Sequence, residues 1–223
     1  SGDFAADSYA STSRWYAAFG ARTNTYDLLT ASGAGSILDL SSLQSINAGF
    51  NDHDSDDTNV QRIRAWDAGR IDLSGVQTIT APAQEWDDRL EFHIDADAQI
   101  DLSGLRSITS AGNGHTRFEI GTGGRLVLGD VAATGNVVFN VNDVTSELRT
   151  QGTLYLSPSA RLNVVAGARV TIGSDFLFQN TDDSKIELDE AYLHLDGGGA
   201  QYLEVGGEDL GVDGATSGNF GIG

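Results

Sequence analysis

The chain has 223 residues, 32 of them acidic and 13 basic, for a formal net charge of −19. That length suffices for one domain with a sizeable core. The charge excludes nucleic acid and anionic lipid as natural partners, since their phosphates demand the opposite sign. Cysteine is absent, which excludes disulfides and thiolate metal sites, and no apolar run approaches the ~20 residues of a membrane helix.

The remaining composition is lopsided. Lys185 is the only lysine, and aspartate outnumbers glutamate three to one. An acidic surface with little lysine suits salty or calcium-rich surroundings, and a cation is the ligand it favours. Methionine is missing even at position 1. The expectation is therefore a piece of a larger chain, with flanking domains on the full-length protein.

In chain order, residues 1–28 read as an N-terminal cap. Ser11, Thr12 and Ser13 precede Trp15, Tyr16 and Phe19, a pattern that predicts a short helix with an aromatic face. Such a cap would close a coil whose open end would otherwise pair with other chains.

Residues 29–205 are dominated by alternation and by repeats. Leu38-Asp39-Leu40-Ser41-Ser42-Leu43-Gln44-Ser45-Ile46 returns as Ile71-Asp72-Leu73-Ser74-Gly75-Val76-Gln77-Thr78-Ile79 and again as Ile100-Asp101-Leu102-Ser103-Gly104-Leu105-Arg106-Ser107-Ile108. The copies start 33 and then 29 residues apart. Repeats of that length form stacked architectures in which each unit buries its apolar face against its neighbours. Period-2 apolar positions mark half-buried strands. The step of three around Gly75 or Gly104 marks a corner, where glycine is expected to supply positive φ. A second strand precedes each copy, at Ile63-Arg64-Ala65, Phe92-His93-Ile94 and Phe118-Glu119-Ile120. Later strands such as Leu154-Tyr155-Leu156, Val170-Thr171-Ile172 and Ile186-Glu187-Leu188 recur every 16 residues, with further short strands between them. The prediction is an all-β parallel β-helix of about seven turns, three short strands per turn, ~25 residues each. Residues 206–223 carry seven glycines and read as a tail or linker.

The pattern resembles a parallel β-helix, and the Asp-Leu-Ser-Gly-Leu-x-Ser-Ile units resemble repeats of large exported bacterial surface proteins of adhesin type. The resemblance covers about four-fifths of the chain. It implies an extracellular or cell-surface module, a rigid spacer or an adhesive surface touching glycans or another surface component. A leucine-rich repeat and a β-sandwich remain as alternatives; the first lacks its asparagine ladder here and the unit lengths vary.

Several constellations could carry chemistry. Asp52, Asp54 and Asp56, with Asp57, alternate carboxylates that can surround calcium, although Asp57 and Ile63 stand where an EF-hand needs glycine and glutamate. The competing reading is a solvated polar insertion. Asp39, Asp72 and Asp101 would align on successive turns, as turn-forming residues or as a cation ladder. Trp66 and Trp86 are the carbohydrate candidates, because tryptophan beside carboxylates can stack on a sugar and bond its hydroxyls. No catalytic residue is assigned. The alternative function is a lyase or glycosidase acting on acidic glycans, built on Asp56, Asp57, Arg62, Arg64, Arg89, Asp87 and Asp88 if neighbouring turns bring them together. The histidines are scattered and read as surface. An ice- or mineral-binding rod is disfavoured because the outward ladders mix Asp, Val, Tyr, Thr and Glu.

Overall fold

The structure is a computed structural model that describes residues 2–5, 23–49, 58–82, 88–110, 114–178, 185–189, 192–195 and 219–222. Its described elements are all strands, arranged as a parallel β-helix. The first sheet stacks Gly2–Ala5, Leu43–Asn47, Thr78–Thr80, Ser107–Ser110, Val131–Gly135, Leu154–Leu156 and Phe176–Phe178. The second stacks Thr23–Ser32, Thr58–Trp66, Arg89–Ile94, His115–Ile120, Val137–Val141, Arg161–Val165 and Lys185–Asp189. The third stacks Ile37–Asp39, Arg70–Asp72, Gln99–Leu102, Arg125–Leu128, Glu147–Thr150, Arg169–Ile172, Tyr192–Leu195 and Asn219–Ile222. Up to Leu195 the chain visits first, second and third sheet in strict rotation, so neighbours in a sheet are one turn apart in sequence. The capping-helix segment 11–22 and most of the glycine-rich tail lie outside the described residues.

Alternation builds the core. Inward residues stack in register as columns: Ile63, Phe92, Phe118, Phe139 and Leu162 in the second sheet, and Ile71, Ile100, Leu126, Leu148 and Val170 in the third. All ten are buried. The rings of Phe92, Phe118 and Phe139 stack at centroid distances of 4.7 and 4.8 Å with interplanar angles of 12° and 10°. That spacing equals the strand separation, so the ladder of backbone bonds itself sets the aromatic contact. Leu73, Leu102 and Leu128 form the buried leucine column that the repeats predict, while Leu40 at its start is only partly buried.

The corners differ from expectation in their chemistry. Gly75 and Gly104 do not have positive φ. A Cβ at Gly75 would lie 2.0 Å from the Ser41 carbonyl oxygen, and one at Gly104 would lie 2.1 Å from that of Ser74. Glycine is needed there because each corner presses against the turn before it. Among the described residues positive φ falls instead at the corner from second to third sheet, at Gly33 and Gly35, Asp67 and Ala68, Ala96 and Asp97, Gly123, and Ala166 and Gly167, with Gly135 at the end of a first-sheet strand as the exception. Across this corner the inward positions are six residues apart from Ala65 to Ile71, Ile94 to Ile100, Ile120 to Leu126 and Val164 to Val170, and seven from Val141 to Leu148. The connections that carry residues 50–57, 83–87 and 111–113 all run from first to second sheet.

Candidate functional site

The outer face of the second sheet gathers the most varied chemistry among the described residues. Arg62, Arg64 and Trp66 alternate outward along one strand, Arg89, Glu91 and His93 along the next, and Arg117 and Glu119 along the third. Register places Asp27, Arg62, Glu91 and Arg117 in one column of alternating charge. Arg64, His93, Glu119, Asn140 and Asn163 form the column beside it.

These side chains bind one another. Arg62 Nε lies 2.5 Å from Asp27 Oδ1. His93 Nε2 donates to Glu91 Oε2 at 2.8 Å, and Arg89 Nη1 lies 3.4 Å from the other carboxylate oxygen. Asn140 Nδ2 donates to Glu119 Oε1 at 2.7 Å, and Asn163 Nδ2 donates to Asn140 Oδ1 at 2.7 Å. The guanidinium of Arg64 sits 4.5 Å above the Trp66 ring, a cation–π contact. Trp66 thus lies on this face with one side of its ring occupied by Arg64.

The electrostatics follow from the pairing. The His93 hydrogen bond lowers the Glu91 pKa below the ordinary glutamate value; burial opposes this, and His93, Arg89 and Arg117 add favourable charge. Asp27 is lowered by its hydrogen bond to Arg62, whose own pKa is raised in return. Both carboxylates are therefore held ionised. A general acid near neutral pH requires the opposite shift, so neither Asp27 nor Glu91 is poised to donate a proton.

Of the residues singled out from sequence, Arg62, Arg64, Arg89 and Trp66 do come together. Asp88 does not join them: it is fully buried and its Oδ1 accepts the Asn59 N–H at 2.7 Å. The acids that meet these arginines are Asp27 and Glu91, which the sequence reading passed over. Its signal was available, because aligning the inward columns also aligns the outward ones. Asp52, Asp54, Asp56 and Asp57, together with Trp86 and Asp87, lie outside the described residues. Among the described residues no group of three His, Cys, Asp or Glu is placed to hold a metal.

Asp39, Asp72 and Asp101 do align, on the outer face of the third sheet. Each accepts the backbone N–H of the serine two residues on, Ser41, Ser74 or Ser103, at 3.0, 3.0 and 2.9 Å. Asp39 also accepts the Ser41 hydroxyl at 2.6 Å, and these two bonds, the hydroxyl first, lower its pKa. The recurring Asp-x-Ser phrase is therefore a turn that ends the strand. Thr145 and Asp143 repeat the same geometry at another corner.

The corner from third to first sheet carries a shallow depression of about 250 Å³ lined by Gly104, Arg106, Gly129, Asp130 and Gly152. It lacks a histidine and holds a single carboxylate. Set against protein-family models, curated proteins and solved structures, the chain matches none of them.

Proposed function

We propose that this chain is a non-enzymatic β-solenoid module of an exported bacterial protein, a rigid spacer that also offers an adhesive, carbohydrate-contacting surface. The observation that carries the reading is the in-register stack itself. Backbone hydrogen bonds run from turn to turn in three sheets around one apolar column. At ~4.8 Å per turn, seven turns make a rod of roughly 34 Å. On its second-sheet face the charged side chains pair with each other, Arg62 with Asp27 and both Arg89 and His93 with Glu91. Glycan contact would fall on the free side of Trp66 and on the arginines around it, with Trp86 on the connection one turn later. Calcium would be held by Asp52, Asp54, Asp56 and Asp57.

The second reading is a lyase or glycosidase on acidic glycans. What favours it is the meeting of Arg89, Glu91, His93 and Arg117 on one face. A panel of uronate-containing and neutral polysaccharides separates the two, scored for new reducing ends, for unsaturated products and for retention of the intact polymer. The module reading expects retention without turnover, weakened in Arg64→Ala and Trp66→Ala. Turnover that disappears in Glu91→Gln or Arg62→Ala would replace it with the enzyme.

A further inference from the structure

The three outer faces differ in chemistry, and that of the first sheet carries no charge over four consecutive turns. Its outward positions form two columns. Ser45, Thr78, Ser107 and Ala132 make one; Asn47, Thr80, Thr109 and Thr134 make the other. Between the columns, Ile46, Ile79, Ile108 and Ala133 are buried in the core. Backbone bonds from Ala48 N–H to Thr80 O at 2.8 Å and from Ala81 N–H to Thr109 O at 2.9 Å continue the ladder beyond the strands. The mixed ladders that argue against an ice-binding rod in the sequence belong to the second and third sheets, and on the first sheet lie either side of these four turns, at Asp3 and at Tyr155.

The result is a lattice of small hydroxyl, amide and methyl groups, spaced ~4.8 Å along the rod and about 6.7 Å across it. Its chemistry narrows the partner. None of the eight positions holds a charge with which an ion or a charged mineral could pair, although the chain as a whole carries −19. None of the eight positions holds an aromatic ring on which a sugar could stack. The patch covers roughly 250 Å², well short of the ~800 Å² per partner of a stable protein interface. A neutral solid whose own hydrogen-bonding groups repeat in two dimensions at similar spacing remains. Ice is such a solid, and the rigid backbone presents the groups already ordered, so little conformational freedom is lost on binding.

We infer that the first-sheet face binds ice through the Ser/Thr/Asn lattice centred on Thr80 and Thr109. This goes beyond the spacer reading and uses none of the charged face, so glycan assays and ice assays fail separately. The test grows an ice hemisphere slowly in a dilute solution of the protein and measures protein in the ice against protein in the liquid. The expected result is incorporation of the parent and exclusion of Thr80→Lys/Thr109→Lys at an unchanged melting temperature. If the lysine variant does not fold, the near-isosteric Thr80→Val/Thr109→Val is measured instead and should show weakened incorporation. Exclusion of the parent from ice overturns the inference, as does equal incorporation of parent and folded variant. Parent retained on crystalline chitin or cellulose but absent from ice reassigns the face to polysaccharide. Concentration-dependent self-association lost in the variant, again without ice binding, reassigns it to a second copy of the chain.

Discussion

Replacing Phe118 with alanine removes the middle ring of the Phe92–Phe118–Phe139 stack. Phe118 is fully buried and touches a ring on each side at 4.7 and 4.8 Å. A buried Phe→Ala change costs about 3–5 kcal/mol through lost transfer energy and the cavity left behind. Two stacked neighbours, each worth ~0.5–1.5 kcal/mol beyond area, push this site to the upper end of that range. Collapse is resisted because the ring sits between turns whose spacing is fixed by the sheet. The expected loss is about 5 kcal/mol, or a fall in melting temperature of roughly 10–20 °C for a chain of this size. Phe118→Leu is the control. The same column already holds Ile63 and Leu162, so a smaller aliphatic chain should cost about 1–2 kcal/mol. Urea unfolding followed by tryptophan fluorescence and circular dichroism measures both, without disulfide chemistry to complicate the reading. If Phe118→Ala loses no more than Phe118→Leu, the ring is not clamped between turns and the register of the second sheet is wrong.

Four further outcomes follow from other parts of the coil. Gly104→Ala should destabilise by about 1–3 kcal/mol because its methyl meets the Ser74 carbonyl; a neutral result in thermal melts would refute the close approach. Gln61 is buried with neither amide atom hydrogen-bonded among the described residues, so Gln61→Leu should stabilise by about 1–3 kcal/mol in the same urea assay, and a loss would show that the amide has a partner. Glu91 has a lowered folded-state pKa, so its contribution is present above the ordinary glutamate value and is lost as pH falls through the folded one. Melting temperature against pH should therefore drop more steeply at acid pH in the parent than in Glu91→Gln, and parallel curves would sink that assignment. Calcium should raise the melting temperature, since a ligand of the folded state stabilises it; the shift should vanish in Asp54→Asn/Asp56→Asn, and an unchanged shift would place the ion elsewhere.

Much of the fold is legible in the chain because the interior makes one repeated demand. Ile71, Ile100 and Leu126 must each fill the same space one turn apart, so period 2 and the repeat length return together. That is enough to assign strands, corners and the three-sheet coil from residue order. The outward chemistry is subject to no such demand. Asp27 and Arg62 are 35 residues apart, and Asn140 and Glu119 are 21 apart. Only the register of the finished sheets decides that they touch, that Asp88 is turned inward to the Asn59 N–H, and that Thr80 and Thr109 share a neutral face. The corner glycines show the same division. Residue order marks Gly75 and Gly104 as corners, but the oxygen that forbids a side chain there belongs to the turn before, which reaches them only once the coil has stacked.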